Sequence, residues 1–112
     1  MGCDIHLHIE ALLDGEWQHV GEAAIGRSYE LFSAMVEDHP RNGGRTGIAP
    51  ERGVPEDANP YTKHIMANVD YHTHSWLSQE EMFAIPELSN NQDIEFALYE
   101  ALPLRLVFAF DN

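Results

Sequence analysis

Residues 3–13 read CDIHLHIEALL, with apolar Cys3, Ile5, Leu7 and Ile9 on one parity and ionisable Asp4, His6, His8 and Glu10 on the other. Successive side chains of a pleated strand leave opposite faces, so a period of two describes a strand with one dry face and one polar face. A helix would scatter the same residues around its circumference and bury charge with hydrocarbon. The stretch therefore demands a sheet. Asp14-Gly15 follows, a pair suited to the positive φ angles of a two-residue hairpin turn. Residues Trp17 to Val20 are expected as the returning strand.

The pattern then changes period. Ser28 stands as an N-cap before Tyr29, Leu31, Phe32, Met35 and Val36, which share a helical stripe reaching to about Asp38, and His39-Pro40 ends it. Residues 40–60 hold most of the Gly and Pro together with Arg41, Arg45 and Arg52, and read as a long loop of the kind that is often functional. Residues 61–69 place Ile65, Met66 and Val69 at helical spacing after Pro60, a plausible first-turn residue, although their type stays open. Residues Tyr71 to Leu77 alternate again as a strand. Ser78-Gln79-Glu80-Glu81 matches a capping box opening a short helix that stops at Pro86. Asn90 or Asn91 caps a further helix with the stripe Ile94, Ala97, Leu98 and Ala101, and LRLVFAF after Pro103 is long enough for a central strand. Strands at the start, middle and end with helices between them predict one α+β domain over 1–112. It should have an N-terminal β-hairpin, a mostly antiparallel sheet, three or so short helices and a C-terminal strand, a size able to bury a single core.

Composition narrows the function. Nineteen acidic residues against 6 basic ones give a formal net charge of −13. Nucleic acid and anionic membranes are themselves polyanions, so direct binding to either is disfavoured. A basic partner, a bound cation or simple solubility fits instead. Cys3 is the only cysteine, so neither an intrachain disulfide nor a cysteine-based zinc knuckle can form. No apolar run approaches the roughly 20 residues of a membrane span and no signal segment is present, which makes the cytoplasm the expected compartment. There is no GxSxG, glycine-rich phosphate loop or HExxH.

Four of the 7 histidines fall in two Asp-x-His-x-His segments, Asp4/His6/His8 and Asp70/His72/His74. On a strand, residues i and i+2 project from one face about 6.5–7 Å apart, so each pair can point at one cation. Neutral imidazole with a nearby carboxylate suits zinc and related divalent metals. If the two strands were neighbours, Asp4, His6, Asp70 and His72 could hold such an ion and activate a bound water for hydrolysis. The other reading is a solvated strand face or a hydrogen-bonded polar network. Cys3 lies on the apolar parity and reads as a small buried hydrophobe. Arg27 and Tyr29, just ahead of the first helix, could bind an anion or take part in an ordinary ion pair. Trp76 reads as a core anchor and Ser75 as a strand hydroxyl.

Several motifs recur together: MGCDIH at residues 1–6, Trp17 in the second strand, RSYELF at 27–32, GVPED at 53–57, DYHTHSWL at 70–77 and VFAFDN at the C-terminus. In these the chain resembles, nearly end to end, a family of small, largely uncharacterised bacteriophage and prophage proteins that begin MGCDIH. That family typically shows R-N-Y-x-L-F, G-x-P-x-D and D-G-H-S-x-S-W-L at the corresponding places. The resemblance implies a phage setting and marks Asp4, His6, Arg27, Tyr29, Asp57, Asp70, His72, Ser75 and Trp76 as candidate functional residues. His8 and His74 fall where the family motif has no histidine, and Tyr71 replaces its glycine. The resemblance therefore favours Asp4, His6, Asp70 and His72 over a four-histidine site.

Two functions follow as expectations. One is an acidic accessory protein that binds, and possesses the charge to inhibit, a basic host-defence or nucleic-acid enzyme of the restriction or CRISPR type, with carboxylates in place of phosphates. The alternative is a divalent-metal-binding protein or metal-dependent hydrolase built on Asp4, His6, Asp70 and His72, with Arg27 as anion clamp.

Overall fold

A computed structural model describes residues 2–37, 39–40 and 43–112. The N-terminal alternation becomes β1 (Asp4–Leu13), joined to β2 (Glu16–Ala23) through Asp14 and Gly15 at φ 53° and 81°. After α1 (Tyr29–Met35) and a long loop come α2 (Pro60–Met66), β3 (His72–Ser78), α3 (Gln79–Phe83), α4 (Pro86–Ser89), α5 (Gln92–Leu98) and β4 (Leu104–Asp111). The fold is α+β, with a four-stranded, wholly antiparallel sheet in the order β2-β1-β4-β3 and five short helices among the described residues. No helix of the described residues is long and apolar enough to cross a membrane.

The last strand lies in the middle of the sheet, paired along both edges, and Leu104 to Phe110 are all buried. Leu106, Phe108 and Phe110 join Leu7, Ile9 and Leu77 on one face, against Phe32, Met35, Met82, Leu88 and Ile94 of the helices. Each large side chain so buried contributes on the order of 1.5–3 kcal/mol. Val107 and Ala109, of the opposite parity, pack on the other face with Met66, Tyr71 and Trp76.

Local chemistry sets the helix starts. Ser28, Asn59 and Asn91 each accept a backbone N–H of the first turn, and Ser78 with Glu81 completes the capping box. Pro60 opens α2, which settles the open stretch 61–69 as a helix ending at Met66. Two differences have clear causes. Helix α1 stops at Met35, short of the expected Asp38, because the following loop takes its backbone partners: Ile48 N–H donates to Ala34 C=O and Glu37 N–H to Ala49 C=O. Gly47 permits this approach, since a Cβ there would lie 2.4 Å from the Glu37 nitrogen. Asp38 itself and Arg41 lie outside the described residues. Pro86 does more than stop α3, which has already ended at Phe83: it opens the four-residue α4, where its missing N–H is no loss.

One irregularity decides where the histidines point. His72 pairs with Phe110 and Ser75 with Phe108, so three residues of β3 span two of β4. The extra residue is absorbed at Thr73, whose φ is 55°. Such a bulge inverts the alternation on either side of it. His72 thereby joins Ser75 and Leu77 on the helix-covered face, while His74 stays with Trp76 on the other.

Candidate functional site

Asp4, His6 and His8 leave β1 on the face away from α1, as their parity requires. His6 pairs with Ala109, stacks on the Tyr71 ring at 4.5 Å, and donates from Nε2 to Asp111 Oδ2 at 2.9 Å. Burial, followed by the Asp111 charge, raises the Tyr71 hydroxyl above its ordinary pKa. Asp4 Oδ1 accepts from Arg27 Nε and Nη2 at 3.0 and 2.9 Å, so Arg27 is engaged in an ion pair, the ordinary alternative to anion binding. His8 is buried with its Nδ1 2.9 Å from His19 Nε2. Burial is the main cause that lowers the His8 pKa.

His72 lies on the opposite face. Its Nε2 is 3.9 Å from Cys3 Sγ and 3.3 Å from Asn112 Oδ1, and Thr73 Oγ1 lies 2.8 Å from its Nδ1. Asp70 is exposed in the turn before β3, and His74 donates to Met66 C=O at 2.8 Å. The expected ligand set of Asp4, His6, Asp70 and His72 is therefore not brought to one point, because the Thr73 bulge separates His6 and His72 by the thickness of the sheet. Among the described residues no three His, Cys, Asp or Glu side chains are grouped to hold one metal ion.

The structure assembles a different cluster around Cys3. Its thiol sulfur lies 3.6 Å from His39 Nε2 as well as 3.9 Å from His72 Nε2, and its N–H donates to the Tyr29 hydroxyl at 3.0 Å. The His39 ring packs edge-on against Phe110 at 4.5 Å. One thiol hydrogen can serve only one of two facing imidazoles, so a second hydrogen bond to sulfur needs a ring N–H. Cys3 has no exposed surface, as its parity predicts. A sulfur so enclosed ties the chain start to α1, the following loop and β3 without being open to a substrate. Nothing in the sequence marks His39 for this cluster, because beside Pro40 at a helix end it carries no periodic signal.

A second buried polar knot lies on the other face. Arg105 interrupts the apolar run of β4, donates from Nε to Glu10 Oε1 at 2.8 Å and from Nη1 to Asp57 Oδ1 at 2.9 Å, and stacks 4.0 Å over Trp17. Glu10 Oε2 accepts the Asn59 N–H at 2.8 Å. The Arg105 hydrogen bond is the main cause that lowers the Asp57 carboxyl. Asp57 of the GVPED motif thus clips the long loop to the sheet. The lone charge within LRLVFAF was the signal that a buried partner had to exist.

Nearby, Arg52 makes a two-pronged pair with Glu81, 2.6 Å at each prong, and lies 4.6 Å over Trp76. Its N–H donates to Ser75 Oγ at 3.1 Å. Ser75, 1% exposed, is therefore a buried acceptor for the loop. The Arg52 guanidinium, helped by the Ser78 N–H, holds Glu81 down at about 2.

Arg27, Arg45, Arg52 and Arg105 are the arginines among the described residues, and each is bound to at least one carboxylate. Meanwhile Asp14, Glu16, Glu22, Glu56, Asp70, Glu80, Asp93, Glu95 and Glu100 stand exposed. Ion pairing thus engages these four arginines within the chain and leaves the exposed carboxylates as an outward-facing negative surface. Comparison with protein-family models, with curated proteins and with solved structures finds no match.

Proposed function

We propose that this chain is a small phage-type accessory protein that works by binding a basic partner, in the manner of an inhibitor that occupies the nucleic-acid groove of a host-defence enzyme. The observation that supports this reading is the distribution of charge. Four arginines already hold carboxylates of the same chain, so the excess behind a net charge of −13 faces outward. Carboxylates on a rigid scaffold can meet the Lys and Arg side chains that otherwise bind phosphates, and such attraction raises the rate of encounter. The resemblance in the MGCDIH, GVPED and DYHTHSWL motifs supports the phage setting. The divalent-metal hydrolase reading is not carried forward, because His6 and His72 face opposite sides of the sheet.

The test is DNA cleavage by a panel of purified restriction endonucleases and CRISPR effector nucleases, with this protein titrated in. Inhibition of at least one enzyme is expected, with affinity falling steeply between about 50 and 300 mM salt. A panel in which no enzyme is bound or inhibited at about 50 mM overturns the proposal.

A further inference from the structure

Resting on that reading, we infer that the partner docks in the groove between β2 and α5, and that the groove takes a basic protein segment carrying one or two large apolar side chains. The groove encloses about 510 Å3, with Ile9 and Ala11 of β1 at its floor and Val20 and Phe96 on its walls. Asp93 and Glu100 also line it, Asp93 Oδ2 accepting the Ala24 N–H at 2.9 Å, and no lysine or arginine among the described residues lines it. An apolar floor under carboxylates selects a ligand that is hydrophobic at its tip and cationic around it.

Two features set this place apart from the rest of the acidic surface. The first is an aromatic pair at the end of α5: Phe96 lines the groove, and Tyr99, outside its lining, lies beside Phe96. Phe96 is 75% exposed and Tyr99 79% exposed, and their rings meet edge to face at 6.2 Å. Helix α5 already anchors itself through Ile94, so neither aromatic is needed for the core, and exposed aromatics of this kind mark contact surfaces. Their faces can also receive the aliphatic stems and charged heads of Lys and Arg.

The second is the form of the sheet edge. β2 is an outer strand, and Ile9 pairs with Gly21 while Glu10 pairs with His19, leaving Val20 as an extra residue in a bulge. A bulge twists an edge strand away from continuous pairing. It also turns Val20, 49% exposed, toward the groove. The docked segment is therefore held through its side chains and does not extend the sheet.

The probe is a fluorescein-labelled amphipathic peptide of lysine and leucine, compared by anisotropy with oligolysine and with the same peptide carrying glutamate for lysine. The lysine–leucine peptide should bind about tenfold more tightly than oligolysine, and the glutamate peptide should not bind. The double variant Phe96→Ser/Tyr99→Ser, at positions the fold leaves exposed, should weaken the lysine–leucine peptide about tenfold. Glu95→Lys/Glu100→Lys, which reverses the carboxylates beside Phe96, should do the same, whereas Asp70→Lys, before β3 at the other edge of the sheet, should change binding no more than about twofold. Circular dichroism of each variant should match the parent chain. Equal binding of oligolysine, indifference to Phe96→Ser/Tyr99→Ser, or aromatic-dependent binding to phosphatidylcholine vesicles in place of the peptide would overturn the inference. In the nuclease assay, inhibition that survives both groove variants removes the groove and keeps the proposed function. Peptide binding without inhibition of any nuclease does the reverse.

Discussion

His6 and His72 stand back to back across the sheet, because His6 pairs with Ala109 of the central strand and His72 with its neighbour Phe110. Adjacent residues of a strand face opposite ways, so the two imidazoles report on different environments. His6 is held by Asp111 and Tyr71, whereas His72 faces Cys3 and Asn112.

Independence of the two sites is measurable. The destabilisation caused by His6→Ala and His72→Ala should add within about 0.5 kcal/mol in the double variant, as for side chains without a shared partner. Urea unfolding of the four chains gives the coupling. A coupling above about 1 kcal/mol would show that the two rings act together after all.

Glu10 and Arg105 form the most enclosed ion pair described, with side-chain exposures of 0% and 6%. Removing one member leaves the other buried and uncompensated, so Arg105→Met or Glu10→Gln should cost about 3–5 kcal/mol. Replacing both, Glu10→Leu with Arg105→Met, should recover much of that loss, since no buried charge remains. Denaturant midpoints decide the point, and a double variant no better than the worse single one contradicts it.

Glu81 links α3 to the long loop through Arg52, and its carboxyl is held at about 2 against an ordinary 4.5. Because the folded value is the lower one, this stabilisation is fully present above about pH 4.5 and is lost as pH falls from there toward 2. Glu81→Gln should cost about 1–2 kcal/mol at neutral pH, reduced from the full shift because the pair is partly solvated. The gap between variant and parent should close as pH approaches 2. A gap independent of pH would assign the loss to shape instead of charge.

His8 sits buried against His19, and burial lowers its pKa from 6.5. The unfolded chain takes up this proton first as pH falls. The neutral ring therefore stabilises the fold above pH 6.5, and that contribution is lost as pH falls below it toward the folded pKa. His8→Gln should flatten the melting temperature against pH in this interval. A proton titration of the His8 ring by NMR with a midpoint at or above 6.5 would contradict the assignment.

Much of the architecture was legible because it is written in neighbouring residues. Asp14-Gly15 needs no distant partner to turn, and Ser28, Ser78 and Asn91 find their N–H groups within the next three residues. The run LRLVFAF, apolar but for Arg105, likewise announced a central strand. The candidate site was less legible. Asp4, His6, His72, Arg27, Tyr29, Asp57 and Ser75 all make specific contacts, yet the Asp/His grouping expected from spacing does not assemble, and nothing local to His39, Glu10 or Arg105 showed which residues each would meet.

What the sequence by itself determined is therefore the set of elements and the parity within each, since turns, caps and alternation arise from forces acting over a few residues. Only the tertiary structure decided which residues meet. Inserting β4 between β1 and β3 brought Glu10 to Arg105, and a single left-handed residue at Thr73 turned His72 from the polar face to the core. A strand has a side-chain period of two, so one extra residue reverses every face beyond it. That choice rests on packing and hydrogen bonding between distant segments.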